Sequence, residues 1–431
     1  MKRNDMDPLS LPGGAERGSD GAALPEQGGQ RVLTPERWLV RKLLDTVGSP
    51  PIALTLWDGQ PLEPEPADPV ARVRVRDRRA FYRLLRHPDL HFGDDYAAGR
   101  IQVEGDLVAF LTTVDRYRQA RNGYGGGRPG LTARLHRARH NTLEGSQHNV
   151  HHHYDLGNDF YALWLDEEMV YTCAYFPHWE ASLEEAQRAK MDHVARKLQL
   201  SPGDTVVEAG CGWGSLARHF AREYGCHVRA FNLSSEQIAY ARERAEQEGL
   251  SDRIEYVQDD YRNVTGTYDA FVSVGMLEHV GTDHYRDLGE VIDRTLTDNG
   301  RALVHSIGRN RPMGPMNPWI ERRIFPGAYP PALSEMTEIF EPMAFSIQDV
   351  ENLRLHYDRT LQHWLERFGR SEEAVRDRFG DSFLRAWRLY LSGSIAAFRA
   401  GTLQLFQLVF TRPTDNDLPL TRDYLYGGGG G

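Results

Sequence analysis

Three side chains that can exchange protons, Glu278, His305 and Tyr357, fall near the ends of predicted strands or at the start of a helix. Glu278 follows a strand in SVGMLEHVG, His305 lies in ALVHSIG, and Tyr357 opens the helix LRLHYDRTLQHW. Ligands of open α/β sheets bind beyond the carboxyl ends of the strands, so this placement predicts a functional site there. Taken singly, Glu278 could be a helix cap and His305 a core residue. A buried histidine needs a partner, and Glu278 is the predicted one.

A glycine turn, EAGCGWG, follows a predicted strand and precedes a helix. Gly210, Gly212 and Gly214 have no Cβ atoms, so the backbone can approach a nucleoside closely. The spacing is G-x-G-x-G and does not meet the dinucleotide fingerprint G-x-G-x-x-G. The turn therefore favours an adenosyl ligand other than NAD, with a purely structural tight turn as the alternative.

Residues 151–176 combine three consecutive histidines with many aromatic side chains. Consecutive residues point in different directions, so one metal ion shared by His151, His152 and His153 is disfavoured. The aromatic and apolar residues, among them Phe160, Trp164 and Met169, are interpreted as an apolar lid, with ordinary core as the commoner alternative.

The elements that must position these residues alternate between strand and helix. Strands are predicted in TVVEA and HVRAFN and over Ile254–Gln258, Tyr268–Gly275 and Arg301–Ile307, and helices over Tyr285–Leu296 and Asp381–Ala400. This alternation predicts an α/β fold with a parallel, doubly wound sheet. A final strand, Gln404–Arg412, is expected to add antiparallel at one sheet edge. Ser234 and Gln237 form a predicted capping box.

The chain is expected to contain two domains, because 431 residues exceed the usual size of one. The predicted order is a disordered leader (1–30), a small N-terminal α+β domain (31–115), a glycine-rich, basic linker (116–146), a catalytic domain (147–426) and a flexible glycine tail (427–431). The linker could lie along anionic lipid headgroups or could simply be solvated.

Composition excludes several classes of protein. The net charge of -10 argues against a nucleic-acid partner. Three cysteines cannot build a disulfide framework and fit a reducing compartment. The sequence shows neither a long apolar run nor an apolar segment at its start, so we expect a cytoplasmic protein without a membrane span.

A series of ordered motifs resembles the cyclopropane fatty acid synthase family. They are HHYDLGNDFYALWLD, YTCAYF, EAGCGWG, NLSSEQ, SVGMLEHVG, LVHSIG, WIERRIFPGAYPP, HYDRTLQHW and LQLFQLVFTR. The likeness covers roughly Asp94 to Arg412, and DDYAAGRIQVEGDL resembles the smaller N-terminal domain of the bacterial synthases. The resemblance implies a Rossmann-like class I methyltransferase sheet, mostly parallel with an antiparallel last strand.

The same resemblance implies a reaction and its catalytic residues. The expected activity is methylene transfer from S-adenosylmethionine to a cis double bond in an unsaturated phospholipid acyl chain, which forms a cyclopropane ring. A bound bicarbonate acts as the base in this family. The motifs place Cys173, Glu278, His305 and Tyr357 around it, assisted by the backbone of Ile307.

The resemblance also implies a set of cofactor-binding residues. These are Tyr171, Thr172, Gly210, Gly212, Asn232, Leu233, Gln237, Asp260, Tyr261 and Gly275. Many family members have threonine where Asn232 stands and serine where Thr172 stands. Asparagine and threonine can still form hydrogen bonds, so the departures affect individual contacts more than the cofactor.

The motifs leave the product open, since loss of a different proton would give a methylene-branched or methyl-branched fatty acid. A methyltransferase of soluble small molecules would have no use for an apolar lid. A noncatalytic lipid-binding protein would not need Cys173, Glu278, His305 and Tyr357 together. The expected partners are unsaturated phospholipid at the inner face of the cell membrane, with peripheral association, and a second copy of the chain in a homodimer.

Overall fold

A computed structural model of the chain describes Leu9 and residues 31–122, 156–312, 314 and 316–426. The predicted leader (apart from Leu9), most of the linker, the three histidines and the glycine tail lie outside these residues. The domain boundaries given above stay predictions. Two compact units are present, one formed by Met1–His136, Gly314–Pro326 and Leu361–Thr402, the other by Arg137–Met313, Gly327–Thr360 and Leu403–Gly431.

In the part of the chain that the structure describes, ten strands form two sheets. They are β1 (Ile52–Thr55), β2 (Ala71–Val75), β3 (Ile101–Gly105), β4 (Thr205–Ala209), β5 (His227–Asn232), β6 (Ile254–Gln258), β7 (Tyr268–Val274), β8 (Leu296–Gly308), β9 (Ser346–Asn352) and β10 (Gln404–Thr411). The first unit holds a three-stranded sheet in which β1 and β2 are parallel and β2 and β3 antiparallel. The second holds a seven-stranded sheet of order β6-β5-β4-β7-β8-β10-β9.

The first α-helix of the described residues precedes β1, and the others lie between strands in sequence. They are α1 (Thr34–Thr46), α2 (Arg78–Arg86), α3 (Pro88–Ala97), α4 (Leu107–Asn122), α5 (Asn158–Ala162), α6 (Leu183–Leu198), α7 (Ser215–Glu223), α8 (Ser235–Gln247), α9 (Tyr285–Thr295), α10 (Pro318–Arg323), α11 (Leu333–Met336), α12 (Arg354–Arg370) and α13 (Glu372–Ala400, interrupted at Gly380). In the described residues, no helix is long and apolar enough to cross a membrane.

Alternating side chains of the seven-stranded sheet fill two separate cores. Val206, Leu303 and Val409 belong to one buried cluster, together with residues of α6, α7 and α8. Their neighbours Val207, Val304 and Phe410 belong to the other cluster, which includes residues of α9. Because both faces are covered, the strands are apolar on both sides, as doubly wound sheets require. The predicted α/β class is confirmed.

The last two strands differ from the sequence-based expectation. Strand β10 is antiparallel as predicted, but it lies between β8 and β9 and is not an edge strand. The edge is formed by β9, which the sequence analysis did not predict because SIQDVEN has little apolar alternation. Every residue of β10 is buried, whereas Ile347 and Val350 of β9 remain exposed. An edge strand with one pairing partner can keep such a polar sequence.

The chain order reverses between β4 and β7. From β4 the chain adds β5 and β6 on one side, then crosses to β7 and β8 on the other. Such a reversal opens a crevice at the carboxyl ends of the two central strands, and ligands bind there. The glycine turn directly follows β4, and Gly275 directly follows β7.

The interior position of β10 in the sheet can be tested by replacing a buried side chain with alanine. Phe410→Ala should lower the free energy of unfolding by about 3–5 kcal/mol, because the buried ring packs against Phe340 and Phe345 at centroid distances of 4.6 and 5.2 Å. Ile347→Ala on the exposed edge should change it by only about 0.5 kcal/mol. Urea unfolding measures both. Equal losses would contradict the strand order.

Candidate functional site

The glycine turn leaves one open position. Gly210, Gly212 and Gly214 all have positive φ angles, of 85°, 55° and 77°. A Cβ on Gly214 would lie 2.5 Å from the Tyr256 hydroxyl oxygen, so packing requires glycine there. A Cβ on Gly212 would meet nothing within 4 Å. Gly212 therefore faces space that the described residues do not fill, as expected of a backbone that a ligand approaches.

The end of β5 lies beside this turn. The Asn232 side-chain amide donates to the Gly212 carbonyl oxygen at 3.2 Å and to Gln237 Oε1 at 2.8 Å. Ser234 caps α8 by accepting from the Gln237 backbone N–H at 3.3 Å. The predicted capping box forms only in this half, because the Ser234 backbone N–H donates to Asn232 Oδ1 and the Gln237 side chain turns to Asn232. Leu233, which stands between Asn232 and Ser234 in sequence, is half-buried.

Asp260 and Tyr261 follow β6. The Asp260 carboxylate accepts from Arg262 Nε at 2.7 Å and from Nη2 at 2.9 Å, so it is paired within its own loop. Burial raises the pKa of Tyr261 above its ordinary value, which keeps the phenol neutral. Their contact with a cofactor stays a prediction.

Thr172 lies against the loop after β7, and Tyr171 packs in the aromatic cluster before it. A Cβ added to Gly275 would lie 3.0 Å from Thr172 Cγ2, so only glycine permits this approach. Thr172 Oγ1 accepts from Lys190 Nζ at 3.2 Å. The Tyr171 ring packs against Trp164 with centroids 5.2 Å apart.

The aromatic residues before Tyr171 form a packed cluster. Phe160 and Trp164 are fully buried and their rings meet edge to face with centroids 6.0 Å apart. Met169 is also buried. In the described residues these side chains have the packing of a core, which agrees with the commoner of the two interpretations made from sequence.

The Glu278 side chain forms a hydrogen bond with the backbone of Ile307. Its Oε1 atom accepts from the Ile307 backbone N–H at 2.5 Å. The other carboxylate oxygen, Oε2, is buried and has no hydrogen-bond partner among the described residues. Burial raises the pKa of Glu278 to about 7, so a large share of this side chain is neutral near neutral pH.

His305 has a different partner from the predicted one. Its Nδ1 atom lies 3.0 Å from Nε2 of Gln407, and the expected pairing with Glu278 is wrong. Strand pairing explains the difference: Val274 of β7 lies opposite His305, and the chain has run past the strand end before Glu278, which therefore reaches Ile307. Burial, followed by Lys190 and Lys197, lowers the pKa of His305 to about 3, so the imidazole is neutral.

The Cys173 thiol and the backbone of Tyr357 both contact the Leu353 carbonyl oxygen. The fully buried Cys173 Sγ lies 4.0 Å from the Leu353 carbonyl oxygen, which also accepts from the Tyr357 backbone N–H at 3.2 Å. Burial raises the pKa of the Cys173 thiol, which stays protonated. The Leu353 backbone N–H donates to the carbonyl oxygen of Leu405. Leu405 of β10 lies opposite Ile307 of β8. The backbone thus connects this pair to Glu278 and Ile307.

A buried charge cluster escaped the sequence analysis. Lys190 of α6 is fully buried, and burial lowers its pKa to about 8 while Asp166, Cys173 and Glu208 oppose the shift. Burial also raises the pKa of Asp166 to about 6 and of Glu208 to about 7. One signal was available, because Lys190 lies on the apolar stripe of α6, seven residues after Leu183 and four before Val194.

Comparison with known proteins identifies the family of this chain. A family model described as mycolic acid cyclopropane synthetase matches residues 141–408, more than half of the chain. The chain belongs to this family. A cyclopropane-fatty-acyl-phospholipid synthase of Escherichia coli strain K12 is 36% identical over 358 residues, covering 82% of this chain and 91% of its own length. A probable fatty acid methyltransferase of Pseudomonas putida is 34% identical over 387 residues, covering 87% and 96%.

Solved structures agree on the fold. The cyclopropane synthase MmaA2 from Mycobacterium tuberculosis superposes with a TM-score of 0.59 at 28% identity, covering 62% of this chain and 98% of its own. The mycolic acid cyclopropane synthase CmaA1, complexed with SAH and CTAB, gives the same values. The seven-stranded sheet is therefore a Rossmann-like class I methyltransferase sheet, and this member of the family is a cyclopropane-synthase-like methyltransferase.

The protonation of Glu278 should change the stability of the fold with pH. A carboxyl whose folded pKa is raised, here from 4.5 to about 7, stabilises the fold fully below the lower value and loses that contribution as pH rises through the higher one. Glu278→Gln cannot ionise, so its melting temperature relative to the parent should rise between about pH 5 and pH 8. Differential scanning calorimetry measures it.

The matched control for this pH series is Glu338→Gln, which alters an exposed carboxylate. Its difference from the parent should stay nearly constant over the same pH range. A Glu278→Gln difference that is equally flat would show that Glu278 does not carry a raised pKa.

Proposed function

We propose that this chain transfers a one-carbon unit from S-adenosylmethionine to the cis double bond of an unsaturated phospholipid acyl chain, forming a cyclopropane ring. One observation carries the proposal: the open Gly212 backbone and the hydrogen-bonded pair of Glu278 and Ile307 lie at the carboxyl ends of the neighbouring strands β4, β7 and β8. A proposed site for the methyl donor and a proposed site for proton transfer thus lie at the ends of neighbouring strands. The named relatives support the choice of substrate.

The residues around the turn fit an adenosyl ligand. S-adenosylmethionine, when bound, supplies an electrophilic methyl group. Gly212 would admit it to the backbone, with Gly210 as a proposed neighbour. Asn232 and Gln237, already hydrogen-bonded to each other, would present fixed polar atoms beside it. Tyr171, Thr172, Leu233, Asp260, Tyr261 and Gly275 complete the proposed contacts. An alkene is a weak nucleophile, so fixed positioning is the main contribution these residues can make.

The residues around Glu278 and His305 fit a small anion. Bicarbonate, when bound, supplies a base for the proton that the new carbon unit must lose. Glu278 is shifted toward its neutral form, and His305 and Cys173 are neutral, so an anion would meet little formal negative charge. The unpartnered Glu278 Oε2 offers it a hydrogen-bonding site. Tyr357 and the Ile307 backbone would complete the binding site.

The lipid partner sets where the reaction takes place. Phospholipid acyl chains lie inside a bilayer, so the protein would act peripherally at the inner face of the membrane and take up one chain at a time. The basic residues Arg134, Arg137 and Arg139, a proposed contact with anionic headgroups, lie outside the described residues. A homodimer is part of the same proposal.

The decisive experiment supplies methyl-labelled S-adenosylmethionine to the parent protein with vesicles of unsaturated phospholipid. Mass spectrometry of the fatty esters should show addition of one labelled carbon, and proton NMR separates a ring methylene from an exocyclic methylene. His305→Ala should lower turnover by about 100-fold with little change in cofactor affinity, because the ring acts on proton loss. Depleting carbonate should also slow the parent.

Different outcomes overturn different parts of this proposal. No labelled carbon in any lipid would remove the activity itself. A branched product would keep the donor and the substrate and replace the ring by the alternative proton loss. Full turnover without carbonate would remove bicarbonate and leave another general base in its place.

The cofactor placement has its own test. Gly212→Val would put a side chain into the open space and should weaken S-adenosylmethionine binding at least roughly 10-fold, the equivalent of about 1.4 kcal/mol. Gly249→Val is the matched control, because Gly249 also has a positive φ, of 68°, and open space around it, but follows α8. Isothermal titration calorimetry measures both. Equal affinities in the two variants would place the cofactor elsewhere.

A further inference from the structure

A buried polar row crosses three neighbouring strands beside the proposed base site. His305 of β8 pairs with Gln407 of β10, and Gln407 pairs with Glu351 of β9. Paired residues lie on the same face of a sheet, so the three side chains form one row. His305 and Gln407 are at most 1% exposed. Polar residues in such a place are costly unless they bond to one another.

The outer end of the row is held by α6. Glu351 Oε2 lies 2.7 Å from His193 Nε2 and 2.7 Å from Lys197 Nζ. These contacts fix Glu351 through two residues of one helix. Gln407 lies fully buried in the row between Glu351 and His305.

The contact between Gln407 and His305 bears on which ring nitrogen carries the proton. The amide nitrogen, Nε2 of Gln407, lies 3.0 Å from Nδ1 of His305. An amide N–H can only donate, so Nδ1 must accept and must lack a hydrogen. The ring is neutral because burial lowers its pKa to about 3, so its single hydrogen belongs on Nε2.

We propose that Gln407 is a positioning residue that fixes His305 as the Nε2–H tautomer, so that the ring donates a hydrogen bond toward the site formed with Glu278 and Ile307. Within the described residues, only Nδ1 of this ring has a hydrogen-bond partner, which leaves Nε2–H available for a ligand. The inference rests on the proposed function for the identity of that ligand, an anion such as bicarbonate.

The opposite amide orientation predicts a different site. If the Gln407 oxygen faced the ring, Nδ1 would carry the hydrogen and Nε2 would present a lone pair to the anion. That arrangement repels an anionic oxygen, while the Nε2–H arrangement attracts it. The two orientations look alike in heavy-atom positions, so the tautomer must be measured.

The tautomer can be read from the parent protein by nitrogen-15 NMR with labelled histidine. The His305 signal is assigned by its loss in His305→Asn. The expected spectrum shows a protonated Nε2 and an unprotonated Nδ1. A protonated Nδ1 in the folded parent would overturn the proposal, whatever the activity of the protein.

Two variants test the role of the amide. Gln407→Leu removes the donor and should give a mixture of tautomers, with kcat lower by roughly 10-fold or more and the KM for S-adenosylmethionine unchanged. Gln407→Glu, if it folds, should favour hydrogen on Nδ1, because a carboxylate only accepts. Gln404→Leu is the matched control, since Gln404 is a buried glutamine of the same strand whose Oε1 accepts from Asn352. It should leave the His305 spectrum unchanged.

The outcomes separate this inference from the proposed function. An active Gln407→Leu with parental kcat and an unchanged Nε2–H signal would overturn the positioning role and leave the function intact. A parent that transfers no carbon to lipid would overturn the function, while the NMR spectrum would still decide the tautomer.

Discussion

Burial of ionisable groups without a full countercharge is the constraint on which the candidate site depends. Glu278, His305 and Cys173 are all buried, and burial favours their uncharged forms. In water the carboxylate of Glu278 would be ionised at neutral pH and would repel an anion. Here it accepts one backbone hydrogen bond and keeps a second oxygen available. The protonation states that suit an anion site thus follow from where the sheet places these residues.

The extra strands beyond β8 create that environment. If β8 were the edge of the sheet, His305 would lie next to solvent and its pKa would be closer to the ordinary value. Strand β10 covers β8, and β9 covers β10, so His305 becomes an interior residue. Strand β10 also supplies Gln407, which contacts His305, and Leu405, which pairs with Ile307. A structural addition at one side of the sheet therefore determines the chemistry at the site.

A second group of buried charges lies beside Thr172, one of the proposed cofactor-binding residues. Lys190 donates to Thr172 and is balanced by Asp166 and Glu208, the acid at the end of β4. A lone buried ammonium would be strongly disfavoured, and so would either acid by itself. Their proximity lowers each of these costs, because a charged lysine favours the ionised acids. The cluster thus helps to fix Thr172 next to Gly275.

The sequence by itself determined the family, the α/β class and the residues at the strand ends, because glycine turns, strand alternation and ordered motifs are local properties of the chain. It predicted the bounds of Ile254–Gln258 correctly, since a short apolar run between turns leaves few alternatives. Tertiary structure decided the rest. Gln407 lies 102 residues from His305, and nothing in LQLFQLVF shows which neighbour its amide will meet. Strand order chose Gln407 and not Glu278 as the partner of His305, because hydrogen bonds between strands depend on register, which is set by the packing of the whole sheet.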